Sequence, residues 1–381
     1  MSFRLGVHLN VLIGKVVPRP LPERYVRTME QIQVTESTRG ASGFQLRIGV
    51  NEPTLGSGFP ILDESIFEPT SRVILTVLAG AVPQVLLDGI VTHRELQPAE
   101  GGPGAFLAVT GEDLSVLMDL EEKTVEHTAQ NELIIANKII ATYARYGMIP
   151  KVIPPPQLDQ PLPIERIPVQ RGTDLAYLRQ LAARFGYVFM VEPGVAPLST
   201  FGYWGPQPRT AIPQPALSVA MASQTNVEAL TFSTDALTAE RVHGRIQDGK
   251  TNQANKIKIS SETLKPRLAK KSALKAQGKL ALDRLTVPGG GFTASQARAR
   301  AQGRVNRASE APVKAQGSLD TLAYGSVLRA RGVVGVRGAG SAYDGSYYVE
   351  SVTHDLRPGS YRQKFTLTRE GQGSTLPLVR P

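Results

Sequence analysis

Residues 344–371, DGSYYVESVTHDLRPGSYRQKFTLTREG, constrain the fold more than any other stretch of the chain. The run 347–354 is rich in Tyr, Val and Thr, side chains that suit a pleated, half-buried surface. Arg357-Pro358-Gly359-Ser360 follows with turn chemistry, since proline presets φ and glycine accepts positive φ. The run 361–369 then alternates, with Phe365 and Leu367 on one face and Lys364, Thr366 and Thr368 on the other. A period of two means one face is buried and one is wet. The stretch predicts a β-hairpin.

A weaker echo lies upstream. Residues 86–93, LLDGIVTH, lead into a Pro/Gly link at 98–104, a second alternating run at 105–110, and Gly111-Glu112. Both stretches carry an Asp-Gly, a strand with Val-Thr-His, a Pro/Gly link, a second strand and a Gly/Glu exit. The triplet alone has little weight in a chain of 381 residues; the matching order of elements predicts two copies of one β-module.

A chain of this length exceeds one ordinary core, so it divides into domains. Residues 1–111 contain about six short β-rich runs and no sustained helix, which suits a first small barrel or sandwich. Glu112 and Asp113 then predict a helix start, with Leu114, Leu117 and Met118 as its apolar stripe. Residues 131–146 continue in helical period up to Gly147, and 152–168 form a Pro-rich link. The best helix spans 173–185, with Thr173 as cap, Leu175, Leu178, Leu181, Ala182 and Phe185 at helical spacing, and Gly186 as its end. A strand follows at 187–191, then a Pro-rich loop at 199–215 holding the only Trp, Trp204. A second β-barrel module is expected over 216–381, built from 227–247 and 321–371 and interrupted by an insertion at about 250–315. The expected fold class is therefore α+β, mainly β, with two β-barrel modules flanking an α/β region at 112–215.

The net charge of +10 is concentrated: residues 250–315 hold 15 Lys/Arg against 3 Asp/Glu, leaving the remainder near neutral. That insertion could bind nucleic acid by counterion release. It has a single aromatic, Phe292, and so no stacking platform, which favours a solvated loop plus helix or a surface for an acidic protein. There are no cysteines, which excludes disulfides and thiolate metal sites. His8, His93, His127, His243 and His354 are scattered, and Glu122, Glu126 and His127 read as a solvated face in preference to a metal site. No nucleophile elbow or phosphate loop occurs, and Gly332 to Gly338 reads as a turn. The paired carboxylates Glu112-Asp113 and Glu121-Glu122 point apart if helical. The expectation is a non-enzyme with no catalytic, cofactor or metal residues. A glycan-degrading enzyme acting through Glu122 and Glu126 stands as the third alternative. Nor is there a signal-peptide pattern or an apolar run of membrane-spanning length, so synthesis in the cytoplasm is expected.

The closing run resembles the end of the phage late control D proteins and the related VgrG/Pvc8-type hubs of contractile injection systems. It is carried by Tyr343-Asp344-Gly345, Tyr347, Val349, Val352-Thr353-His354, Tyr361, Phe365, Leu367 and Arg369. Residues 173–187 are similar to that family's mid-chain helix and strand, and 109–114 to its first-barrel exit. The resemblance implies a homotrimeric baseplate hub between a hexameric inner tube ring and a trimeric spike, with two tube-like barrels per subunit and open barrel edges paired across subunits. It also implies other baseplate proteins as partners and residence in a phage tail or tail-like particle. VgrG-type chains often continue into a β-helix, whereas this sequence stops about ten residues past the hairpin, so a separate spike protein is expected.

Overall fold

In the computed structural model the described residues are 2–3, 7–15, 17–50, 59–79, 82–98, 105–158, 161–164, 166–248, 251–278, 281–286 and 293–375. The link at 98–104 beyond Pro98, the first part of the loop after Val50, Lys250 and Phe292 lie outside them. The chain is mainly β, and its principal sheet has fourteen strands among the described residues. Twelve of them form two units. The first comprises β1 (Val7–Gly14), β2 (Met29–Ser37), β3 (Gly43–Gly49), β4 (Arg72–Ala79), β5 (Val82–Gln97) and β6 (Phe106–Asp113). The second comprises β7 (Gln214–Ser218), β8 (Ala229–Thr234), β9 (Val313–Asp320), β10 (Val333–Arg337), β11 (Gly345–Arg357) and β12 (Ser360–Arg369). Spatial order in the first is β1-β4-β5-β6-β3-β2, and in the second β7-β10-β11-β12-β9-β8. Adding six to each label converts one into the other. The units differ at one end, where β1 pairs antiparallel with β4 but β7 runs parallel to β10.

The equivalence extends to single residues. Both central hairpins carry a bulge, at Thr92 in β5 and Glu350 in β11. Just before it, the Val91 N–H donates to Ser71 O and its carbonyl accepts from Thr70 N; Val349 makes the same pair with Gly332 and Arg331. Thr70 and Arg331 both adopt positive φ, +78° and +67°, although neither is glycine. Directly after the bulge, His93 faces Thr110 and Ser351 faces Thr366. The counterpart of His93 is therefore Ser351, and that of His354 is Leu96. The two Val-Thr-His triplets that signal the repeat in the sequence are three residues out of register, which is why His93 is exposed while His354 is fully buried.

Neither unit is a closed barrel among the described residues. The edge strand β2 does not return to its own unit; it pairs antiparallel with β11, merging both units into one open sheet. Each unit keeps its own apolar core: Leu9, Ile32, Leu46, Val73 and Val109 belong to the first, and Leu217, Val313, Val334, Val352 and Phe365 to the second. The two expected tube-like barrel modules are here two six-stranded units of one sheet, with no closed barrel among the described residues, and the edge strand β2 is paired within the chain.

The middle region packs α1 (Glu132–Ala141) and α2 (Asp174–Phe185) against a small sheet of Met148–Val152, Thr200–Gly205 and Val188–Pro193. Thr173 Oγ1 accepts from Ala176 N, capping α2, and Gly186 ends it at φ +69°. The expected helix at Glu112 and Asp113 is instead the end of β6, where Asp113 caps a single 3-10 turn, Leu114–Met118. Trp204 sits on a strand, not a loop; it is fully buried and its Nε1 donates to Leu178 O.

The basic insertion is folded, and its bounds differ from expectation. Glu240–Gln247 does not continue the second unit. It pairs with Ala254–Ile259 and Leu282–Thr286 in a separate sheet, while Val313–Asp320 belongs to the second unit. Val242, Ile246 and Ile257 bury one face of this sheet under α3 (Ala294–Ala308), whose Ala297, Ala301 and Val305 face them. A Thr293/Gln296 capping box starts α3.

Candidate functional site: the junction between the sheet units

Along β2 every second residue is buried, which puts Ile32, Val34 and Glu36 on the inner face. A carboxylate at an apolar position must find partners or lose its charge. Glu36 finds them in the second unit. Its Oε1 accepts from Arg329 Nε at 2.6 Å and Nη2 at 2.5 Å, and its Oε2 accepts from Ala330 N at 2.8 Å. Arg329 also donates to Val85 O at 2.9 Å, so it ties β2, β5 and the β9–β10 connection together. Burial acts to raise the Glu36 pKa, but the Arg329 charge and His354 outweigh it and hold the carboxyl well below the usual range.

His354 lies beside this pair, with Nε2 3.8 Å from Glu36 Oε2. Its Nδ1 is 2.8 Å from Tyr361 Oη and 3.1 Å from Gln363 Nε2. Two donors converge on Nδ1, which places the ring proton on Nε2, toward Glu36. Burial depresses the His354 pKa despite the adjacent carboxylate, so the ring is neutral in the fold. Gln363 completes the network by clasping Leu328, donating to its carbonyl at 2.7 Å and accepting from its N–H at 3.0 Å. Glu36, His354, Tyr361 and Gln363 are buried in the sheet junction, and Arg329 is partly exposed. The arrangement fixes the register of two units.

A second buried polar seam ties the other elements to the second unit. Arg209 and Glu370 pair at 2.8 Å, each 1% exposed, and Glu370 also accepts from Leu268 N and Ala269 N. Gln207 links Arg209 to Glu310, which Arg39 from the β2–β3 turn reaches at 2.9 Å. Burial outweighs Arg39 there and pushes the Glu310 pKa up to about 7.

The candidates from sequence are dispersed. Glu122 and Glu126 are exposed, whereas His127 is buried and stacked on Tyr177 with ring centroids 5.7 Å apart. Among the described residues no three His, Cys, Asp or Glu side chains gather as a metal site would require. Gly332 precedes strand β10, and Gly338 ends it at φ +87°. On the outer face of the insertion sheet, His243 stands opposite Lys258 and Arg245 opposite Lys256, all exposed. No helix among the described residues is long and apolar enough to cross a membrane. Sequence reasoning missed Glu36 and Arg329; the signal was a glutamate in phase with Ile32 and Val34.

No protein-family model matches the chain, and no curated protein does. Solved structures do match over nearly the whole chain. A tail protein from Neisseria meningitidis MC58 has a TM-score of 0.63 at 14% identity, covering 97% of this chain and 98% of that one. The fold is that of a phage tail protein. The 43 kDa tail protein of prophage MuSo2 from Shewanella oneidensis gives 0.59 at 12% identity, over 95% of this chain and 98% of that one. An E. coli component of the type VI secretion system, described as structurally similar to the T4 bacteriophage tail proteins gp27 and gp5, gives 0.55 at 11% identity, over 93% of this chain and 77% of that one.

Proposed function

We propose that this chain is a structural component of a phage tail or contractile injection system: a homotrimeric baseplate hub that adapts a sixfold inner tube to a threefold spike. The observation that carries it is the internal repeat, two six-stranded units with one strand order joined in a single sheet. Three such chains present six similar units, so a hexameric ring can stack on a trimer through near-equivalent surfaces. The tail-protein fold agrees with this placement, and the resemblance of residues 343–369 to late control D and VgrG-type hubs points the same way. The titratable groups support a structural role over a catalytic one, because Glu36, Arg329 and His354 are spent on the junction. The partners under this function are the inner tube ring, the spike and other baseplate proteins.

The test is the solution mass of the purified chain, followed by binding to tube and spike proteins from the same particle. A trimer that captures both is expected. A stable monomer with affinity for neither would overturn the proposal.

A further inference from the structure

Where α3 crosses the end of α2, the two elements meet through glycines: a Cβ on Gly303 would sit 2.6 Å from Gly186 N. Beside the crossing, where neither glycine offers a side chain, a cavity of about 420 Å³ opens. That volume encloses a small organic molecule. The middle region gives its wall Phe185, Tyr187 and Pro206, and the insertion gives Ile259, Leu264 and Ala299. Phe185 and Tyr187 stand edge-on to the buried Trp204, at centroid distances of 6.0 and 5.1 Å, which fixes the aromatic side of the wall. Tyr187 and Glu310, both buried, close the inner end.

The charge at this cavity is of one sign. Lys265 and Arg298 stand exposed at its mouth with no ion-pair partner among the described residues. Arg209, deeper in, is neutralised by Glu370. The carboxyl on the wall is Glu310, whose pKa burial pushes up to about 7, so near neutral pH it carries only part of a charge. Tyr187 and Glu310 also line a second cavity of about 220 Å³, where Arg179 and Arg307 likewise have no carboxylate partner among the described residues. The Arg179 Nε is buried without a hydrogen bond. These cations flank one apolar space, and its low-dielectric walls focus their field. An empty packing defect is apolar throughout. This cavity is apolar along its sides and cationic at its mouth.

We infer that the cavity binds a small organic anion: a carboxylate or sulfonate head on an apolar ring or short chain. The body lies against Phe185, Tyr187, Ile259 and Leu264, and the head stays at the mouth between Lys265 and Arg298, where it keeps part of its hydration. Full burial of the head would cost more than the attraction returns. The closed inner end suits a compact body over an extended chain. The site lies outside the repeated units and does not rest on the hub function.

The probe is anilinonaphthalene sulfonate, an aromatic body with an anionic head, titrated into the full chain by fluorescence. Phenylnaphthylamine, the same body without the charge, is titrated beside it. One saturable site is expected, tighter for the anion by about tenfold, the scale that two exposed charges supply. Lys265→Glu with Arg298→Glu, both at exposed positions, should bring the two probes level and leave the neutral one unchanged. Ala299→Trp should fill the cavity and abolish binding of both, with the circular dichroism of the sheet retained. Equal affinity for the two probes in the unaltered chain overturns the inference, as does an anion preference that survives both charge reversals. Binding that survives Ala299→Trp, or no saturable binding at all, also overturns it. Displacement of the sulfonate by a glutamate homopeptide ahead of naphthoate overturns it in favour of an acidic polypeptide. Each of these results leaves the hub function standing.

Discussion

Removing the Glu36 carboxylate tests whether the junction network holds the two sheet units together. In Glu36→Leu, Arg329 loses its partners at 2.6 and 2.5 Å and retains Val85 O, while Ala330 N loses its acceptor at 2.8 Å. Arg329 is about a quarter exposed, so water recovers only part of the loss. Breaking one side of a buried ion pair costs about 3–5 kcal/mol. Replacing both partners together, Glu36→Leu with Arg329→Met, leaves no orphaned charge and should cost much less than the sum of the two single changes. A double-mutant cycle should then return a coupling of at least about 2 kcal/mol. The measurement is urea unfolding followed by far-ultraviolet circular dichroism, which reports the sheet. The sign with pH follows from the depressed carboxyl: the Glu36 contribution is present above the unfolded value of 4.5 and disappears as pH falls through the lower folded value. A single substitution costing under about 1 kcal/mol, or a strictly additive double variant, would refute the role assigned to the pair.

His354, kept neutral by burial, contributes stability above its unfolded value of 6.5 that is lost as pH falls through its depressed folded value; His354→Asn should flatten the fall in stability below pH 6.5. Glu310 acts in the opposite sense: its contribution is present below 4.5 and lost as pH rises through about 7. Glu310→Gln should therefore remove a decline of up to about 3 kcal/mol between those values, at 1.36 kcal/mol per unit, checked by unfolding at a series of pH values. Gly303 of α3 lies against Gly186, and a Cβ there would sit 2.6 Å from Gly186 N. Gly303→Val should cost about 1–3 kcal/mol by overpacking and speed proteolysis within the insertion, with little loss of the main sheet signal.

What the sequence revealed and what it hid divide by range. The closing hairpin was legible because alternation and Pro358-Gly359 are local, and Gly359 does adopt φ +80°. Helix α2 was legible for the same reason, through Thr173 and Gly186. The β2–β11 junction pairs residues more than three hundred positions apart, and no local pattern encodes it. The bulges decide which residues are equivalent, and they are backbone events that no residue type here announces. The insertion was read through its charge, which obscured the alternation of Lys256, Ile257, Lys258 and Ile259 that marks a strand with one buried face. Trp204 was lost to the neighbouring prolines Pro206 and Pro208, although TFGYW is itself strand-like.

The site of the insertion explains why so basic a segment coexists with a near-neutral repeated sheet. In the first unit β2 and β3 are joined by a turn of five residues, 38–42. The same link in the second unit, between β8 and β9, is the insertion. Thr234 and Val313, the residues on either side of it, are paired with each other in the ladder, so the sheet closes as it would around a short turn. Loop-closure entropy grows only slowly with length, and the insertion offsets it with its own core and with the Ala269–Ser272 strand, which pairs with Gly371–Ser374. Glu370 then receives the backbone of Leu268 and Ala269. The excess positive charge thus belongs to an element appended at a hairpin link of the second unit. The near-neutral remainder of the chain carries the repeat.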